Sequence, residues 1–104
     1  MIVVERGSAN VYSDLNADDA DVMLIKAQLA RKISALMKIR QLTQIEAEQL
    51  FGMKQPKISG MLRGQFRGIS EEKMMRCLVS LGQNVEIVVK PAKRGQMACI
   101  SVAA

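Results

Sequence analysis

Apolar residues recur at helical spacing through the middle of the chain and give way to β-branched runs at its end. Val22, Ile25, Leu29, Ile33 and Leu36 follow three-to-four spacing, which marks one face of an amphipathic helix. The stripe predicts a long helix from Ala17 to about Gln41. Asn16 suits its N-cap, Asp18, Asp19 and Asp21 suit the positive end of the dipole, and Lys38 and Arg40 suit the negative end. Such a helix would be ~36 Å long. Met23 and Leu24 fall on another face, available to a partner or to the chain's own C-terminal segment. A later stripe, Met74, Cys77, Leu78 and Leu81, predicts a helix capped by Ser70, with an Ile69–Met74 staple and Gly82 at its end. Residues 84–90 (NVEIVVK) and 97–102 (MACISV) read as strands that could pair as a hairpin. A lone hairpin is marginal in water, so it has to pack on the helices or pair with a second subunit. Residues 1–15 read as an N-terminal arm, in which Ile2, Val3 and Val4 suit a short strand as well as they suit a mobile segment.

Between the two stripes lies the most informative stretch, residues 43–64, TQIEAEQLFGMKQPKISGMLRG. Thr43 followed by Glu46 is a capping box, and Leu42 can staple onto Ala47. Gly52 falls where a helix needs a left-handed C-terminal residue. Pro56 belongs in a first helical turn, where its missing N–H does no harm. Ile58, Met61 and Leu62 give the second helix an apolar face, and Gly64 closes it. Two short helices around a glycine turn make a helix-turn-helix, whose second helix enters the DNA major groove.

Length and charge sharpen this picture. The 104 residues suit a single domain, and with aromatics limited to Tyr12, Phe51 and Phe66 the core has to be aliphatic and rich in methionine. Net charge is −4 over residues 1–25, +7 over 26–67 and +2 over 68–104. Positive charge therefore gathers on the helix-turn-helix and the helix feeding it, as a phosphate backbone would require. With no His, no paired carboxylates beyond those suited to capping and no glycine-rich phosphate loop, nothing supports an enzyme or a cofactor. Cys77 and Cys99 lie outside any metal-binding spacing and are expected to be buried, reduced thiols. The absence of a signal-peptide pattern and of a membrane-length apolar run leads to a cytoplasmic expectation.

Placing Ile58 at the buried centre of the second motif helix turns Lys57, Ser59, Gly60 and Arg63 outward, with Gln55 at the N-terminal end. Gln pairs well with adenine and Lys with guanine, so Gln55 and Lys57 are the candidates for base contacts. Gln44 is a phosphate candidate together with the backbone N–H groups at the start of the first motif helix. Lys54, Arg63 and Arg67 are further phosphate candidates. Thr43 and Ser59 complete the candidate DNA-binding set. Ala47, Leu50, Phe51, Ile58, Met61 and Leu62 are expected to face inward.

The pattern T-Q-x₇-G-x₅-I-S-x₄-G, carried by Thr43, Gln44, Gly52, Ile58, Ser59 and Gly64, resembles the XRE (Cro/C1-type, phage-repressor-like) helix-turn-helix family. With NVYSDLN at 10–16, the long helix and LGQNVEIVV at 81–89, the chain looks like the antitoxin branch of that family, close to HigA-type proteins. The resemblance implies a mainly α, lambda-repressor-like domain of about five helices with a short C-terminal β segment. It further implies homodimerisation, binding to operator double-stranded DNA at its own promoter, and neutralisation of a toxin protein with ribonuclease activity. A regulator without a toxin, or an interaction module that has lost DNA binding, are the competing readings. Two positions depart from the family pattern. Glu48 stands where a small Ala usually packs the two motif helices and has to point outward or find a basic partner. Lys54 stands where a Ser or Thr cap is usual, and a lost cap costs ~1 kcal/mol.

Overall fold

The computed structural model describes residues 2–3 and 15–103, and its elements follow the order of the hydrophobic pattern. They are β1 (Ile2–Val3), α1 (Leu15–Ile39), α2 (Gln44–Phe51), α3 (Gln55–Leu62), α4 (Glu71–Ser80), β2 (Ile87–Val88) and β3 (Ser101–Val102). The fold is mainly α, with four helices among the described residues where the resemblance implied about five for the domain. Residues 4–14, which hold most of the expected N-terminal arm, lie outside the described residues.

α1 is the spine. Ile25, Leu29, Ile33 and Met37 are buried at one-turn intervals on the side of α1 that meets α3 and α4, and they share one core with Ala47 and Phe51 of α2, Ile58 and Met61 of α3, and Met74, Cys77 and Leu78 of α4. The helix starts at Leu15, so Asn16 lies inside it rather than capping it. It also ends before the expected Gln41. Gln41 itself takes a left-handed φ of 54°. Its N–H bonds the Lys38 carbonyl while Leu42 N–H bonds that of Met37, the paired closure usually made by glycine. α3 closes in the same way around Gly64, at φ 94°.

Two facing assignments are corrected. Leu50 is exposed, because α2 presents only the one-turn stripe of Ala47 and Phe51 to the core. Gly60 is buried rather than outward, because the chain after α3 folds back over it and Gln65 N–H bonds the Gly60 carbonyl at 2.7 Å.

The expected C-terminal hairpin does not form. β1 lies between the two C-terminal strands, parallel to β2 (Ile2↔Ile87, Val3↔Val88) and antiparallel to β3 (Ile2↔Val102, Val3↔Ser101). The N-terminal strand thus supplies the backbone partners that each C-terminal strand was expected to find in the other. β3 lies on α1, where Val102 packs against the core with Val85 and Ile100. The two cysteines also part company, with Cys77 buried and Cys99 exposed.

Candidate nucleic-acid interface

The helix-turn-helix is assembled from local caps and reinforced by charged side chains from neighbouring elements. At the start of α2, Thr43 Oγ1 accepts a hydrogen bond from Glu46 N–H at 3.1 Å, and Thr43 N–H donates to Glu46 Oε1 at 2.9 Å. The bond from the Thr43 N–H, aided by the Thr43 hydroxyl, holds the Glu46 carboxyl below its ordinary range. Gln44 follows as the exposed first residue of α2. At the other end Gly52 turns the chain with φ 66°. There Lys73 of α4 reaches across to donate to the Phe51 carbonyl at 2.7 Å, a cation at the negative end of a helix.

α3 begins without a local cap, since the Lys54 side chain makes no capping bond. Glu48 fills the gap. Its Oε2 accepts the Gln55 backbone N–H at 2.9 Å. The two departures from the family pattern are therefore one arrangement, in which a carboxylate on α2 closes the N-terminus of α3 across the turn. Glu48 is half-buried, and its carboxylate bonds a backbone N–H rather than a basic side chain.

Beyond this first turn, Lys57 is exposed and Gln55 half-buried, while Ile58 and Met61 hold the opposite face in the core. Arg63 Nη1 donates to Ser59 Oγ at 2.6 Å, one turn earlier, so these two outward residues form a single unit. Arg67 sits on the loop after α3, exposed at its side chain. That loop is pinned by Lys26, a buried lysine of α1 whose Nζ donates to the carbonyls of Phe66 at 3.3 Å and Arg67 at 3.2 Å.

The resulting charge balance favours a polyanion. Lys54, Lys57, Arg63 and Arg67 are exposed on and around α3. The two acidic side chains of the motif, Glu46 and Glu48, are each committed to a backbone N–H. Lys54 is the N-cap of α3, Gln55 and Lys57 lie in its first turn, and Gln44 stands at the start of α2. Thr43 is turned into its own helix cap. Three side chains shape the interface in roles that the sequence does not give: Glu48, Lys73 and Lys26. Glu48 left a trace, because a carboxylate where a small residue is usual coincides with a missing cap six residues later, at Lys54. Lys26 left a fainter one, a charge beside Ile25 on the edge of the apolar stripe. Among the described residues no cluster of His, Cys, Asp or Glu suits a metal ion, and no helix is long and apolar enough to cross a membrane.

Comparison with known proteins agrees with this geometry. A family model described as a helix-turn-helix domain matches residues 11–90. A solved structure described as that of an XRE family transcriptional regulator is 36% identical, with a TM-score of 0.77, over 83% of this chain and 98% of that one. No curated protein matches the sequence.

Proposed function

We propose that the chain, which belongs to the XRE family of helix-turn-helix transcriptional regulators, represses its own operon by binding an operator there as a homodimer and acts as the antitoxin to a toxin encoded beside it. Its membership makes it a DNA-binding regulator and not an enzyme. The observation that carries the operator reading is the start of α3, where a capped first turn carries the half-buried Gln55 and the exposed Lys57 within a basic surround. The N-terminal residues of a recognition helix are those that meet base edges. In this reading Gln55 and Lys57 contact bases, and Gln44, Lys54, Arg63 and Arg67 contact phosphates, with Arg63 steadied by Ser59 and α2 by the Thr43 cap.

Two arguments support a dimer. Helix-turn-helix proteins commonly read two half-sites related by symmetry. Ile87 and Val89 are also exposed on and beside β2, at one edge of the small sheet. The antitoxin assignment rests on the family resemblance of the stretches flanking the motif. The similarity to a protein described simply as a transcriptional regulator favours a second reading, a regulator without a toxin.

A gel-shift titration with DNA from the protein's own upstream region tests the operator reading. Binding should be retained against excess unrelated DNA, and Gln55→Ala should cost about 1–3 kcal/mol at a single base position. Loss spread evenly over all sequences would move Gln55 to the backbone contacts. Co-expression with the adjacent open reading frame separates the two regulator readings, since only an antitoxin rescues growth and co-purifies with its product. Sedimentation of the free protein gives the dimer directly.

A further inference from the structure

We infer that Glu48 is a positioning residue for sequence recognition, holding Gln55 in register for base contact while keeping negative charge beside the interface. The inference rests on the operator reading above and adds to it a residue that touches no DNA.

Four observations carry it. Lys54, the N-cap residue of α3, makes no side-chain capping bond. The Glu48 carboxylate takes the Gln55 N–H at 2.9 Å instead. That N–H belongs to the peptide unit from which the Gln55 side chain springs, so the bond fixes where the side chain starts. Finally, Glu48 is on α2 and Gln55 on α3, so the same bond ties the two helices that carry the candidate phosphate contact, Gln44, and the candidate base contact. A local cap at position 54 would fix α3 alone. This one fixes α3 relative to α2, and a displacement of about 1 Å is enough to spoil a directed contact.

The charge has a separate consequence. Non-specific binding depends on the net positive charge presented to phosphates. A carboxylate at the start of α3 lowers that term for every sequence, whereas the positioning it provides helps only the operator. Both effects raise the ratio of operator affinity to background affinity. A residue that merely stabilised the fold would change both affinities together, through the folded fraction.

The test measures affinity for the operator and for unrelated DNA of equal length at one salt concentration, with the melting temperature of each variant. The wild type should discriminate strongly between the two DNAs. Glu48→Ala should lower operator affinity about tenfold, within the range of one base contact, while raising affinity for unrelated DNA severalfold. Glu48→Gln keeps an acceptor and should keep most of the operator affinity while sharing the rise in background. Glu48→Ala combined with Lys54→Ser restores an N-cap acceptor at the usual place and should recover much of the lost ratio, even though a basic residue has gone. An unchanged ratio in Glu48→Ala overturns the inference. So does a parallel fall of both affinities that tracks the melting temperature. No discrimination by the wild type would instead overturn the operator reading, and the inference with it.

Discussion

The helical body and the small sheet of this protein are held together in different ways. In the body, Ala47, Ile58, Met61 and Met74 have no exposed surface, and the end of α2 and the start of α3 are closed by side chains from other elements. In the sheet each strand is two residues long, Ile87 and Val89 are more than half exposed, and Met97 beyond them is 91% exposed. A recognition helix has to meet base edges as a fixed object, and the dense packing behind α3 provides that. At the β2 edge the apolar side chains of Ile87 and Val89 are left in water, and an edge of this kind is open to pairing.

The two cysteines report on the two regions separately, and here the expected contrast is largest. Cys77 lies in the body, 1% exposed, its thiol pushed up by burial and directed at Met53 Sδ 3.9 Å away. Cys99 lies exposed in the C-terminal segment. Since thiolate character and access set the rate, a disulfide reagent at neutral pH should modify Cys99 at once. Cys77 should follow only through opening of the core, at least about a thousandfold more slowly. Two equally fast thiols would dissolve the distinction between the regions.

Stability measurements sharpen it next. Ile58→Ala removes a side chain with no exposure from the back of α3 and should cost about 2–5 kcal/mol in urea denaturation. Ile87→Ala, in the sheet, should stay within about 0.5 kcal/mol. Lys26→Met comes between them. It retains the bulk of the side chain but leaves the Phe66 and Arg67 carbonyls without their donor, an expected loss of about 1–3 kcal/mol. Equal losses for Ile58→Ala and Ile87→Ala would mean that the sheet is as firmly built as the body.

The same division explains what could be read from the sequence. The capping box of Thr43 and Glu46, the left-handed Gly52, Pro56 in the first turn of α3 and the Ser70 cap each depend on residues within a few positions, and each is present. The position of the α3 start, with Lys54, Gln55 and Lys57 in and around its first turn, was legible for that reason. Interactions that cross between elements were not. Glu48 reaching Gln55, Lys73 reaching Phe51 and Lys26 reaching the loop after α3 depend on how the helices stack. The C-terminal runs were correctly seen as strands, but their partner comes from the opposite end of the chain. Gln41 failed as a helix end for the converse reason. Its left-handed turn is local, but glycine's signature is missing.

An effect smaller than the loss of core packing tests whether the local caps are as active as the long-range ones. Thr43→Ala removes the hydroxyl that accepts from Glu46 N–H and should cost about 1 kcal/mol at neutral pH. The loss should also depend on pH, in a direction set by Glu46. Thr43 holds the Glu46 carboxyl below its ordinary 4.5 in the folded protein. The unfolded chain therefore binds the proton first as pH falls, and the stability tied to the ionised carboxylate is present above the unfolded value and lost as pH drops through the folded one. In wild type the acid limb should thus steepen below pH 4.5. In Thr43→Ala the side-chain part of that bonding is gone while Thr43's backbone contribution persists at the alanine, so the limb should be shallower but not flat. Glu46→Gln should remove this group's share entirely. Identical acid limbs in all three proteins would show that the capping box, though well formed, adds nothing to the rigidity of α2.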